Sequence, residues 1–364
     1  MMARFPSLGA LTRLLIVFAA FCAIHDAKAA SGDFPRDKGL PVLVNVGVAF
    51  IEILGFDENA GTFEATVDLR VGWTDSRLAR ADVPANTPPE TLRDVAAETR
   101  MKSIWLPPVV LSNQIGEASA SAYGLRIFSD GRVELLRRVT ARFTTDVDVG
   151  RFPFDHQKLN VAPALRGLTV AQAALRFDQS DIDFSRPARD AQLTGWSVGL
   201  VDLQSSTIPG WYNSSEDRVI ATLSLERQPG LVVASIFIPL FASLLIPLLA
   251  IWLNFMKDGV FQVETHEMVN IIIGGLFTVI ALNFTVYSTY VVLSVGDNTV
   301  NRLFALNYVT LAMALTVNIL FARFNLIARI FQPYVQEQVY YLIMWAVPVA
   351  ALSIAISLML TAYV

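Results

Sequence analysis

The chain is 364 residues long, 54% apolar and 16% charged. Its mean hydropathy of +0.48 is too high for an ordinary soluble protein, so part of it must lie in lipid. A net charge of −4 argues against nucleic acid as a partner, and a single cysteine, Cys22, excludes an intrachain disulfide and any thiolate metal cluster.

Residues 1–29 start with Arg4 and Arg13, run through apolar positions from Leu14 to Ile24, and end on the small-x-small triplet Ala27-Lys28-Ala29. This is the pattern of a secretory signal peptide cleaved after Ala29; the apolar run is too short for an anchor helix crossing roughly 30 Å of hydrocarbon. Cleavage removes Cys22 and His25 and takes the net charge from −4 to −6.

From Val42 to about Glu226 the pattern is one of short strands. In "TFEATVDLRVGW", Phe63, Ala65, Val67, Leu69, Val71 and Trp73 alternate with Glu64, Thr66, Asp68 and Arg70, which predicts one buried and one wet face. In "RVIATLSLER", Val219, Ala221, Leu223 and Leu225 share a side. Breaks at "DENAG", "PANTPPE", "SDG" and "SSTIPG" predict an antiparallel, immunoglobulin-like sandwich over residues 30–228.

Four apolar segments follow within residues 229–364: Leu231–Asn254, Met268–Leu293, Leu303–Phe321 and Val339–Val364. Each is long enough to span, so an all-α four-helix transmembrane bundle is expected. The signal peptide puts the sheet domain and the C-terminus on the outer side. Lys257, Arg323 and Arg329 then fall in inner loops and Arg302 in an outer one, in weak agreement with the positive-inside rule.

The second segment is unusually polar. At 100° per residue, Glu267, Asn270, Gly274, Thr278, Ala281, Thr285 and Ser288 fall in one arc, with Phe277 and Phe284 on its flank. Ile272, Leu276, Val279, Ile280 and Val286 lie opposite, with Asn283 as the polar exception. Such a stripe lines either a water-filled interior or a helix-packing seam. Glu264 and Glu267 at the inner end favour the interior, because a symmetric ring of carboxylates concentrates at a pore mouth, attracts cations and repels anions. A ring of Phe277 or Phe284 is an apolar constriction able to gate by dewetting, and Gly274 with Gly275 could bend the helix.

"RFPFDHQ", Arg151 to Gln157, resembles the Phe-Pro-Phe-Asp-x-Gln core of the pentameric ligand-gated ion channels, the Cys-loop receptor superfamily. "WTDSRL" (Trp73–Leu78), "IWLPPVVLSN" (Ile104–Asn113) and "SDGRV" (Ser129–Val133) resemble that family's sheet-domain landmarks in order, and Arg227, Pro229 and Pro239 its entry into the first span. Thr145 and Leu159 stand where animal members carry the loop cysteines, as in bacterial members. The short link between the third and fourth spans, about Ala322 to Glu337, is also bacterial in character.

The resemblance implies a homopentamer in a bacterial inner membrane, with the second helix of each subunit around one axial pore for monovalent cations and lipid around the bundle. Glu267 matches the family's cation-selecting position, with Glu264 and Asn270 near it. Phe277 stands where most members have a gate leucine, and Gly274, Ala281, Phe284 and Ser288 continue the pore lining. Phe152, Pro153, Phe154 and Asp155 would couple sheet to pore. Arg227 is the expected partner of Asp155, and Asp57, Glu58 and Arg302 would extend the network. An agonist would bind between subunits. Trp211 and Tyr212 in "GWYNSSEDR" hold the capping-loop position, Tyr123 is a further ligand candidate, and the absence of an aromatic in "RGLTVAQAA" leaves an amine cage incomplete. Trp196 is expected in the core.

Protons are the competing stimulus. His156 and His266 are the histidines left after the signal and titrate near neutrality when unperturbed. No nucleophile with its base, metal cluster or phosphate loop is visible, so neither an enzyme nor a cofactor is expected. The alternative to a channel is a membrane-anchored binding or sensor protein that does not conduct.

Overall fold

Alternating apolar residues in the first half fold as strands because each buries one side and wets the other. The chain is described here by a computed structural model covering residues 34–35, 39–80, 82–84, 87–258, 260–262 and 265–363. Residues 1–29, expected to be a signal peptide, and Glu264 lie outside the described residues.

The strands are β1 (Val42–Asp57), β2 (Thr62–Thr74), β3 (Glu90–Arg93), β4 (Val109–Leu111), β5 (Gln114–Ile127), β6 (Arg132–Thr144), β7 (His156–Val161), β8 (Pro163–Leu165), β9 (Ala173–Arg176), β10 (Trp196–Pro209) and β11 (Ser215–Arg227). One sheet has the order β3-β5-β6-β2-β1-β9; the other runs β10-β11-β8-β4, with β7 also paired to β11. Short helices α1 (Asp94–Met101) and α2 (Gln179–Phe184) lie between strands.

The β2 alternation places Phe63, Ala65, Val67, Leu69, Val71 and Trp73 in the core, and Val219, Ala221, Leu223 and Leu225 of β11 face them fully buried. Phe63 stacks on its cross-strand neighbour Phe143 at 5.2 Å, and Trp73 meets Trp105, in the loop before β4, edge-on at 6.2 Å. One pairing departs from the antiparallel expectation. β9 lies parallel to β1, Val42 opposite Ala173, because the chain leaves β8 in one sheet and crosses to the free edge of the other.

The four spans are α3 (Gly230–Trp252), α4 (Thr265–Thr289), α5 (Thr299–Arg323) and α7 (Pro333–Tyr363). A short α6 (Leu326–Ile330) precedes the last span. A two-stranded hairpin, β12 (Met256–Lys257) and β13 (Val260–Phe261), joins α3 to α4. Pro239 sits just after a π-turn at Val233–Phe237, a local widening that absorbs the missing donor and the ring's clash with the preceding turn. Polar ends shift the boundaries read from hydropathy. Asn298 caps α5 by accepting from the Asn301 amide at 3.0 Å, and Pro333 opens α7 through the polar stretch "YVQEQ". Helix α4 ends at Thr289 and is followed by a 3-10 turn at Val291–Ser294.

Candidate functional site

Two places concentrate chemistry: the outward side of α4 and the junction where the sheets meet the helices. In α4 the residues Met268, Ile272, Gly275, Val279 and Val286 are buried against α3 and α5. Their spacing of about two per heptad is that of a packing seam. Gly275 permits the close approach, since a Cβ there would stand 3.0 Å from Ile246 Cγ2 and 3.1 Å from Leu311 Cδ2. Gly274 has open space instead, so the paired glycines divide into one that packs and one that faces away.

Opposite the seam, Glu267, Asn270, Gly274, Phe277, Ala281, Phe284 and Ser288 are all exposed. Phe277 is 68% and Phe284 75% exposed, lying in the middle of this line rather than on its flank. Thr278 and Thr285 donate to the carbonyls of Gly274 and Ala281, each at 2.9 Å, so these hydroxyls are satisfied within the helix and seek no neighbour. Leu276 and Ile280, expected on the packed side, are exposed at the edges of the line, because the buried face is only as wide as its contact with α3 and α5. Asn283 is half-buried one turn below Tyr287, whose hydroxyl donates to Asn301 of α5. Glu267 lies in the first turn of α4, where a carboxylate suits the helix dipole. His266 beside it is exposed.

At the junction, Arg227 ends β11. Its Nε donates to Asp155 Oδ1 at 2.6 Å and its Nη2 to Oδ2 at 3.0 Å. Nη1 reaches Glu58 Oε1 at 3.2 Å, and Nη2 also pairs with Glu58 Oε2. The guanidinium lies 4.2 Å from the Trp196 ring centre and 4.9 Å from that of Phe152, so two aromatic faces meet a cation whose edges hold two carboxylates. Burial opposes the charge on Arg227, but hydrogen bonds to Asp155 and Glu58 outweigh it and raise its pKa above the ordinary arginine value. Gln157 Nε2 donates to Asp155 Oδ2 and to the Asp148 carbonyl, both at 2.6 Å, and its Oε1 accepts from the Asp148 amide at 3.1 Å.

The loop before β7 inserts into the helical bundle. Phe152, fully buried and followed by Pro153 through a cis peptide bond, packs on Phe237 of α3 at 6.2 Å and Tyr290 at 6.0 Å. Phe154 meets Tyr363, at the end of α7, edge-on at 5.3 Å. The same loop is closed without sulfur. Thr145 Oγ1 donates to the Lys158 carbonyl, and Leu159 is buried in the sheet core.

Two expected members stand apart from this network. Arg302 pairs with Asp297 in its own turn, at 2.7 and 2.6 Å, because that exposed carboxylate is nearer than any at the junction. Its hydrogen bonds hold the Asp297 carboxyl below the usual range. Asp57 accepts from the Ala60 amide at 3.0 Å and closes the β1–β2 turn. The second tie between sheet and helices is Asn59, whose Oδ1 accepts from the Val292 amide at 3.0 Å. Sequence reasoning missed Asn59 and Gln157, although the first sits in a turn motif and the second ends "FPFDHQ".

Trp211 and Tyr212, at the β10–β11 tip, are 83% and 99% exposed, and Tyr212 has a left-handed backbone with φ of 54°. Tyr123 is on β5 in the other sheet, beneath Arg137 at 6.0 Å, so one chain does not bring the three rings together. His156 opens β7 exposed, directly across the ladder from Glu226. No group of three or more metal-ligating side chains occurs among the described residues.

A family model described as the neurotransmitter-gated ion-channel ligand binding domain matches residues 31–229. A proton-gated ion channel of Gloeobacter violaceus is 27% identical over 216 residues, covering 58% of this chain and 56% of that protein. The gamma-aminobutyric acid receptor subunit beta-4 of Gallus gallus is 24% identical over 234 residues, 61% of this chain and 44% of that one. The chain thus spans about half the length of the curated relatives it matches.

Proposed function

Because this chain belongs to the neurotransmitter-gated, or pentameric ligand-gated, ion-channel family, we propose that five copies surround one axis and that α4 of each lines a cation-selective pore. The family is one of channels and not of enzymes. The observation that carries the reading is the exposed line from Glu267 to Ser288. Polar groups in hydrocarbon are costly, and this line turns away from every helix of its own bundle, so it calls for water or for other copies of itself. Five copies would ring Glu267 at one mouth, where carboxylates favour cations, and stack rings of Phe277 and Phe284 as an apolar barrier above. The sheet domain and C-terminus would face the outside of an inner membrane.

The stimulus we propose is the proton. His156 and Glu226 stand opposite each other within one residue of Asp155 and Arg227, so an imidazolium formed there would alter the charge around the junction. A small ligand is the second reading, favoured by the unpacked Trp211 and Tyr212 rings; the missing surface would then be Tyr123 and its surroundings on the next copy.

Voltage clamp of cells expressing the chain, stepping external pH from about 8 to about 4, tests both readings. A saturating inward current whose reversal follows sodium supports the channel, and Glu267→Gln is expected to shift that reversal toward the anion potential. An unshifted reversal in Glu267→Gln removes the selectivity assignment. Surface expression without current to acid or to amine ligands leaves the non-conducting sensor as the better account.

A further inference from the structure

At the inner end of the bundle a small apolar cluster stands apart from the main helical core. Met256, Val317, Phe321 and Tyr340 are buried in it, with Phe261, Ile327 and Ile343 packed around them. Tyr340, on α7 and 1% exposed, is its centre. The Tyr340 ring meets Phe261 of β13 edge-on at 4.8 Å and Phe321 of α5 at 5.7 Å. Its hydroxyl lies 2.6 Å from the Ile251 carbonyl and 2.9 Å from that of Asn254. These are orphan acceptors where α3 ends and the chain turns toward the hairpin, groups that a helix cannot satisfy from within. One residue on, the Tyr341 hydroxyl donates to the Met256 carbonyl of β12 at 3.1 Å.

Both strands of the hairpin are therefore held from α7. The hairpin's own ladder consists of two residue pairs, Met256 with Phe261 and Lys257 with Val260, extended by one backbone bond from the Gln262 amide to the Phe255 carbonyl at 3.1 Å. A unit that short has little stability of its own, so its position depends on what it is tied to. In sequence, α4 begins at Thr265, four residues after Phe261 of the hairpin, and its first turn carries Glu267.

The geometry points to Tyr340, seconded by Tyr341, as a positioning residue for the inner mouth: the last span holds the α3–α4 hairpin and thereby sets where Glu267 stands. This rests on the pore reading above. It makes α7, which carries no residue of the exposed α4 line, a determinant of ion selectivity rather than only of bundle stability.

The test uses the full chain. In a Cys22→Ser background, Met256→Cys places a thiol in the cluster at a position 1% exposed, so its rate of modification by a maleimide reports opening of the hairpin. Adding Tyr340→Phe keeps the ring and removes the hydroxyl. It is expected to speed labelling about two- to tenfold, the equilibrium factor that one hydrogen bond spans. In voltage clamp, Tyr340→Phe without the reporter is expected to lower the sodium-to-chloride permeability ratio while current amplitude persists. Trp345→Phe, at a ring that meets Trp252 of α3 edge-on at 5.7 Å and lies outside the Tyr340 cluster, serves as the control for general loosening of α7 and is expected to change neither readout.

Equal labelling with and without the hydroxyl overturns the anchoring. Faster labelling with an unchanged permeability ratio overturns the positioning role, as does an equal change in Trp345→Phe. If the parent chain passes no current under acid or amine ligands, the pore reading falls and the selectivity role falls with it, whereas the labelling result still decides the anchoring.

Discussion

Replacing Asp155 by Asn probes the junction with almost no change of shape. Asp155 Oδ1 accepts from Arg227 Nε, and Oδ2 accepts from both Arg227 Nη2 and Gln157 Nε2. Whichever way the amide is turned, its NH2 group faces a donor, so at least one charge-assisted bond is lost and two donors are left in opposition. Removing one partner of a buried ion pair costs about 3–5 kcal/mol, and the surviving Glu58 contact keeps this case near 3 kcal/mol. In a domain of this size that corresponds to a fall in unfolding temperature of about 6–12 °C. Glu58→Gln should cost less, about 1 kcal/mol and 2–4 °C, because the Glu58 side chain is 17% exposed against 2% for Asp155. Near-ultraviolet circular dichroism of the full chain in detergent, followed with temperature, reads both variants. A shift below about 2 °C for Asp155→Asn, or equal shifts for the two variants, would refute the assignment of Asp155 as the principal partner.

Phe277→Ala should raise the resting current by removing an apolar ring; patch recordings without stimulus check this, and an unaltered baseline counts against the barrier. Gly275→Val should lower the yield of folded protein on size-exclusion chromatography, since its side chain would collide with Ile246 and Leu311, whereas Gly274→Ala should elute normally. Hydrogen bonds from Ser180, together with the Asp181 amide, outweigh partial burial and hold the Asp178 carboxyl below its ordinary value. A depressed pKa means that this contribution is present above the unfolded value of about 3.9 and is lost as pH falls through the folded one. Asp178 caps α2 by accepting from the Ser180 and Asp181 amides at 2.8 and 3.1 Å, and loss of that cap in Asp178→Ala should lower stability by about 1 kcal/mol at neutral pH, with the gap to the parent chain closing below about pH 4, as followed by thermal unfolding across pH.

The parts of the fold legible from sequence are those set by periodicity. The β2 alternation and the runs of apolar residues name their own burial, because a strand or span is decided by its neighbours in the chain. The junction was legible only where a motif carried it: "FPFDHQ" singled out Asp155, and the border position singled out Arg227. Asp57, Glu58 and Arg302 looked equivalent in sequence, yet only Glu58 reaches the guanidinium, since the choice among nearby charges depends on the path of a turn over a few ångströms. Tyr340 gave no signal, because the carbonyls it meets lie far away in the chain and every residue possesses a carbonyl.

The loop between Thr145 and Lys158 is drawn shut by a hydroxyl and a carbonyl, with the Gln157 amide clasping the Asp148 backbone inside it. Its assembly therefore needs no thiol oxidant, no disulfide isomerase and no oxidising compartment, and nothing in it waits on the pairing of sulfurs. Protein made in a reducing cell-free mixture should reach the same junction as protein exported by a cell, and a reductant added later finds no bond there to break.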